Sequence, residues 1–181
     1  MKNRCIILCV CLVFLSSNAI AVNTHIQTDD TLTGIDVFSI NAPGSGQLHT
    51  LSEINGKIAD DNLFYSFSDF NIGTSDTVSF NLSTPSLTNV ISRITGGFAS
   101  LIDGQLKLIN VGSNPSFFLI NPAGITFTSG ASVDVPGSFY VSTASGLNFS
   151  DGSQWTVSNS HNGSLSAANP ESFGFLGDES G

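Results

Sequence analysis

Between residues 106 and 157 the apolar side chains fall in pairs two positions apart: Leu106/Leu108, Phe118/Ile120, Ile125/Phe127, Val133/Val135, Phe139/Val141, Leu147/Phe149 and Trp155/Val157. That spacing puts both members of a pair on one face of an extended strand. Gly, Asn, Asp, Ser or Pro separates one pair from the next, which is turn chemistry. No window carries a sustained 3.6-residue apolar period, so helices should be scarce. Every third pair recurs at a near-constant step, Phe118 to Phe139, Ile125 to Leu147 and Val133 to Trp155, each about 21 or 22 residues, a period in the range that marks stacked repeats. Three short strands per such repeat predict a parallel β-helix, whose coils stack about 4.8 Å apart. The competing architecture is an antiparallel sandwich, but the steps from Phe118 are 7, 8, 6, 8 and 8 residues, shorter than the ~8 to 12 usual there. The expected class is all-β, a right-handed parallel β-helix with three strands per coil and an N-terminal capping region.

Composition narrows the rest. The chain has 181 residues, which suits one domain. Lys2 and Arg4 precede the apolar run from Cys5 to Leu15, and Ser16-Ser17-Asn18-Ala19-Ile20-Ala21 follows. A basic start, a short apolar run and a small-residue A-x-A end describe a secretory signal peptide over residues 1–21, cut after Ala21. The run is well short of the ~20 residues a spanning helix requires. All three cysteines lie in it, so the mature chain would have none. Close to half of that mature chain is Ser, Gly, Asn or Thr, and its only Lys or Arg residues are Lys57, Arg93 and Lys107, against fourteen acids. So acidic a chain, with no basic stripe, excludes nucleic acid as a partner.

Before residue 106 the pattern loosens. Residues 35–40 read as a strand closed by Asn41-Ala42-Pro43-Gly44, and Leu63 to Ile72 is the most aromatic stretch. A solenoid has to cover its first coil or expose strand edges and a core cross-section. Val22 to about Ile72 is assigned that capping role, with Phe64, Phe67 and Phe70 as core anchors. Later in the chain, Pro122 fixes φ and Gly124 permits positive φ, so Asn121-Pro122-Ala123-Gly124-Ile125 suits a tight corner between two strands. The Asn121 side chain can close that corner on nearby backbone.

Arg93-Ile94-Thr95-Gly96-Gly97, Ile102-Asp103-Gly104 and Phe118 to Phe127 together resemble the N-terminal two-partner secretion domain of filamentous haemagglutinin-type exoproteins, the haemagglutination activity domain. The family's N-P-N-G-aliphatic motif stands here as Asn121-Pro122-Ala123-Gly124-Ile125, with Ala123 replacing the second Asn. Phe64 to Ile72 resembles its H-S-F-x-x-F-N-V stretch, and Ala131 to Phe139 its A-x-L-x-V-G-G-S-F stretch. Its N-P-N-L motif has no intact counterpart. The likeness spans about Leu32 to Gly177. It implies export through the periplasm to the cell surface and recognition by an outer-membrane β-barrel transporter with periplasmic POTRA-type domains. The Asn121 corner would be presented to that partner, and Arg93 would serve as a structural hydrogen-bond donor. It also implies a longer parent that is an adhesin or haemagglutinin able to bind a host surface ligand, so the unit from Val22 to Gly181 is expected to be incomplete. No cofactor is implied.

Two other functions compete. Parallel β-helices also host carbohydrate-active enzymes, and related exoproteins include contact-dependent toxins on β-helical stalks. An enzyme requires clustered acids on one solvent face. The acids here are scattered, and Asp60-Asp61, the only tight interior pair, reads as a solvated turn. His25, His49 and His161 lack ligand spacing, so neither a metal site nor catalysis is expected.

Overall fold

The computed structural model describes residues 21–158 and 165–175. The leader (residues 1–20) and His161 lie outside them. The chain opens with β1 (Asn23–Thr28), β2 (Ser39–Pro43) and β3 (Leu48–Leu51), then a 3-10 turn at Glu53–Asn55 and β4 (Lys57–Ala59). The first coil holds β5 (Asn62–Asn71) and β6 (Thr77–Leu82). The second holds β7 (Asn89–Ile94), β8 (Ser100–Ile102) and β9 (Gln105–Asn110). The third holds β10 (Ser116–Ile120), β11 (Ile125–Phe127) and β12 (Ser132–Asp134), and β13 (Phe139–Ser142) stacks on it. Finally β14 (Gly146–Phe149), β15 (Gln154–Thr156) and β16 (Pro170–Gly174) form a separate sheet.

Three faces result. One sheet runs β13-β10-β7-β5-β1-β2, a second β12-β9-β6-β3 and a third β11-β8, extended by a parallel bridge from Ile72 to Ile102. Every coil-to-coil pairing is parallel. The fold is therefore all-β, a parallel β-solenoid of about three turns, as the sequence pattern predicts. At the N-terminal end β1 pairs antiparallel with both β5 and β2, covering the first edge of that sheet. β5 itself belongs to the first coil, so the covering elements are β1 to β4.

The register corrects the sequence reading in two places. Leu63, Val90 and Phe117 stack one above another, at the same interval of 27 that separates the bonded pair Asn62 and Asn89. Val78 meets Leu106 at the interval of 28 that separates Thr77 from Gln105. The step from Phe117 to Phe139 is shorter, equal to the 22 between Ser116 and Ser138. Leu147 and Trp155, which spacing placed above Ile125 and Val133, instead face each other across the antiparallel β14–β15 hairpin. Period-two alternation is common to parallel and antiparallel strands, so spacing could not tell them apart. The signal that does is Asp151-Gly152 between them, with Gly152 at φ 81°.

The second correction concerns which pair faces inward. Phe117 and Leu119, with Leu63, Tyr65, Phe67, Val90, Val78, Phe80, Leu106 and Leu108, fill the coil interior. Phe118 and Ile120 point the other way, with Phe64 and Ile91, into a second apolar cluster under Leu147, Phe149 and Trp155. The outer face of the longest sheet is thus also apolar and buried at Phe64, Ile91, Phe118 and Ile120. Ring contacts tie the layers: Phe64 meets Trp155 at 5.0 Å and 73°, an edge-on pairing worth about 0.5 to 1.5 kcal/mol beyond its burial. Phe67 and Phe70 lie in the main core, whereas Phe64 belongs to the outer cluster.

Candidate functional site

The corner at residues 121–125 joins β10 to β11. The Gly124 amide donates to the Asn121 carbonyl at 3.0 Å, closing a four-residue turn with Pro122 and Ala123 at its exposed tip. Gly124 sits at φ 115°, a conformation side chains disfavour. Ala123 has no positive φ, so the turn is of the type I class, which tolerates most residues there. Asn121 is 1% exposed. Its Nδ2 donates to the Phe98 carbonyl at 3.0 Å and to Ser100 Oγ at 2.9 Å, and its Oδ1 accepts the Ala123 amide at 3.0 Å. Asn121 therefore bolts this corner to the coil beneath, while Ile125 packs half-buried on the main core. Within the motif the fully exposed residues are Pro122 and Ala123.

Arg93 lies on the outer face of β7, 2% exposed, beneath the hairpin. Nε donates to Ser66 Oγ at 2.8 Å, Nη2 to Thr31 Oγ1 at 2.8 Å and Nη1 to the Thr156 carbonyl. The guanidinium carbon stands 4.2 Å from the Trp155 ring centroid, a cation–π contact strengthened by burial. Asp29 supplies the opposite charge. Its carboxylate accepts Thr31 N at 2.9 Å, Thr31 Oγ1 at 2.6 Å, Ser66 Oγ at 2.7 Å and Thr95 Oγ1 at 2.6 Å. Burial would raise the Asp29 pKa, but these bonds outweigh it and hold the pKa below its ordinary value. Burial pushes Arg93 down to about 10, with Asp29 opposing, so the side chain stays charged at neutral pH. One side chain thus joins the N-terminal segment, the second coil and the lateral sheet.

Two further carboxylates order the corners. Asp76 accepts Thr24 Oγ1 at 2.5 Å, the amides of Ser45 and Gln47 at 2.9 and 2.8 Å, and lies 3.2 Å from His49 Nε2. Burial works against its charge, but these partners hold its pKa far below the usual carboxylate range. One coil further on, Asp103 accepts Thr74 Oγ1 at 2.5 Å and Thr128 Oγ1, linking three successive coils. Asn89 Nδ2 likewise donates to Asn62 Oδ1 at 2.9 Å, and Asn62 to the carbonyls of Ser166 and Ala168.

The sequence reading missed Asp29, Asp76, Asn62 and Asn89. Comparing the chain with itself at an offset of 27 would align Asn62 with Asn89, Ser66 with Arg93 and Asp76 with Asp103. These polar groups are spent on structure. Among the described residues no three His, Cys, Asp or Glu side chains are placed to hold a metal ion, and no helix is long and apolar enough to cross a membrane. A shallow groove of about 160 Å³ beside Phe118, Tyr140 and Phe173 has one acid at its rim, Glu171, and no base.

No curated protein and no solved structure matches the chain. The model of the TPS secretion domain family matches residues 45–180, three quarters of the sequence, including the Asn121 corner, Arg93 and all three coils. The chain belongs to the TPS secretion domain family.

Proposed function

We propose that this domain targets its chain to a cognate outer-membrane β-barrel transporter and nucleates β-helix folding at the cell surface. The observation that carries the reading is the family match over residues 45–180, which makes the protein a two-partner secretion exoprotein that leaves through the periplasm and implies a dedicated transporter. Cleavage after Ala21 would start that route. POTRA-type periplasmic domains of the barrel would take the chain before its coils close. An adhesin or haemagglutinin activity, with its host ligand, would belong to a longer parent.

Physical chemistry supports the order of events. Each coil closes on a strand a full turn of the solenoid away in sequence, and such non-local parallel pairing is slow. With no cysteine after Cys11, no disulfide can form a closed loop in an oxidising compartment. Once outside, burial of the apolar coil interior would oppose return. The exposed tip at Pro122 and Ala123 is the corner offered to the transporter.

The test introduces a crosslink where geometry allows one. Leu101 and Thr126 are parallel neighbours on the outer side of β8 and β11, within the Cα spacing a disulfide needs. The Leu101→Cys/Thr126→Cys chain, co-expressed with its transporter, should stall in the periplasm and be released by reductant. Either single cysteine should export normally. Unimpeded export of the crosslinked chain would end the reading.

A further inference from the structure

Within the N-terminal cap one strand edge has no partner among the described residues. β4 pairs antiparallel with the first residues of β5, and no other strand joins it. No main-chain hydrogen bond from Lys57, Ile58 or Ala59 runs to any other part of the described chain. Beside this free edge lies an open groove of about 410 Å³, lined by Asp36, Glu53, Ile54, Lys57 and Ile58. Ile54 and Ile58 stand 61% and 41% exposed there. The groove belongs to the cap, at the far end of the stack from the coil on which any continuation would build. Val22 is also remote from it: its amide donates to Thr74 Oγ1 at 2.9 Å beyond the Asn71 end of β5, whereas β4 lies along the Asn62 end.

A short strand and a lysine are common guards of such an edge. β4 is only three residues long, but Lys57 is drawn aside, its Nζ donating to the Thr33 carbonyl at 3.3 Å. The other charges around the strand are negative. Asp36 and Glu53 share the groove with Lys57, and Asp60 and Asp61 form the turn that follows Ala59. Glu53 accepts the amides of Ser83 and Thr84, each at 2.7 Å. None of these four acids has an ion-pair partner among the described residues. An unpaired main-chain edge suits an extended backbone, the two isoleucines suit apolar side chains, and acids at both ends of the strand suit cations.

We propose that the free edge of β4 docks an extended peptide segment of a partner protein, one with a short β-branched apolar core and basic residues on either side. The segment adds to the sheet as a further strand, its core against Ile54 and Ile58 and its cations beside Asp36 and Asp60. The acidity of the chain, fourteen acids against five Lys and Arg, draws such a segment in from a distance. The site exists only in the folded cap, so it is separate from recognition of the chain before its coils close.

Fluorescence anisotropy of a labelled peptide, three valines between two pairs of lysines, titrated with the purified chain tests this. The expected result is saturable binding below about 1 mM. N-methylating the valine amides keeps the charge but removes ladder donors, and should weaken binding about tenfold or more. Glutamates in place of the lysines should weaken it as much. Asp36→Lys should cost about threefold to fivefold, whereas Asp134→Lys, the same charge change on an exposed position of β12, should cost less than about twofold. Hydrogen exchange on the unaltered chain gives a second reading should a variant fail to fold: the valine peptide should raise protection in β4 but not in β2 or β3, the other edge strands of the cap. No saturable binding up to that concentration, equal binding of the N-methylated or glutamate peptide, equal effects of the two lysine variants, or protection that rises elsewhere and not in β4 would each overturn the proposal.

Discussion

At the scale of single residues, the polar side chains that matter are buried and fully employed. Asn121 makes three side-chain bonds that water cannot replace, so Asn121→Ala should cost about 2 to 3 kcal/mol in urea unfolding. Ala123→Asn should stay within about 0.5 kcal/mol, because the position is exposed and its backbone unstrained. In a secretion assay that substitution should leave export unchanged or improve it, whereas a fall would show that the alanine is selected for. The turn was legible in sequence because proline and glycine carry their φ preferences wherever they stand. Asn121's partners, Phe98 and Ser100, were not, since they come from the coil beneath.

Among the elements, the lateral sheet is the piece whose attachment rests on few groups. Leu147, Phe149 and Trp155 cover the outer face of the longest sheet, and Arg93 fastens them through Trp155 and the Thr156 carbonyl. Removing one partner from a buried charge pair commonly costs about 3 to 5 kcal/mol. Arg93→Ala should therefore lower the unfolding free energy by about 3 kcal/mol and speed amide exchange in β14 to β16 before it affects β5, β7 and β10. Equal acceleration everywhere would mean the sheet is not a separately opening unit. Alternation identified these segments as strands. It left their direction open, because side chains alternate identically whichever way the neighbour runs, and Asp151-Gly152 was the only local sign of a hairpin.

For the whole molecule, stability is tied to acid through carboxylates with depressed pKa values. Asp29 and Asp76 are stabilised as anions by hydroxyl and amide donors, and the bonds from Ser66 and Thr95 to Asp29 and from Thr24 to Asp76 exist only when the N-terminal segment is seated on the coils. A depressed folded pKa contributes stability above the unfolded value, about 3.9, that is lost as pH falls toward the folded value. The urea midpoint should be flat from neutral pH to about pH 5 and drop below about pH 4. Asp76→Asn should make that drop shallower, and an unchanged slope would remove Asp76 from the account. By itself the sequence determined the strands, the corner chemistry and the family, because these rest on local φ preferences, period-two alternation and short ordered motifs, and the near-constant step between strands pointed to a stacked solenoid without fixing its register. Tertiary structure alone decided the register between coils, the second apolar layer and the buried Arg93 junction. Each depends on which strands come to lie against one another, and pairing across a coil or across a sheet face leaves no mark within either strand.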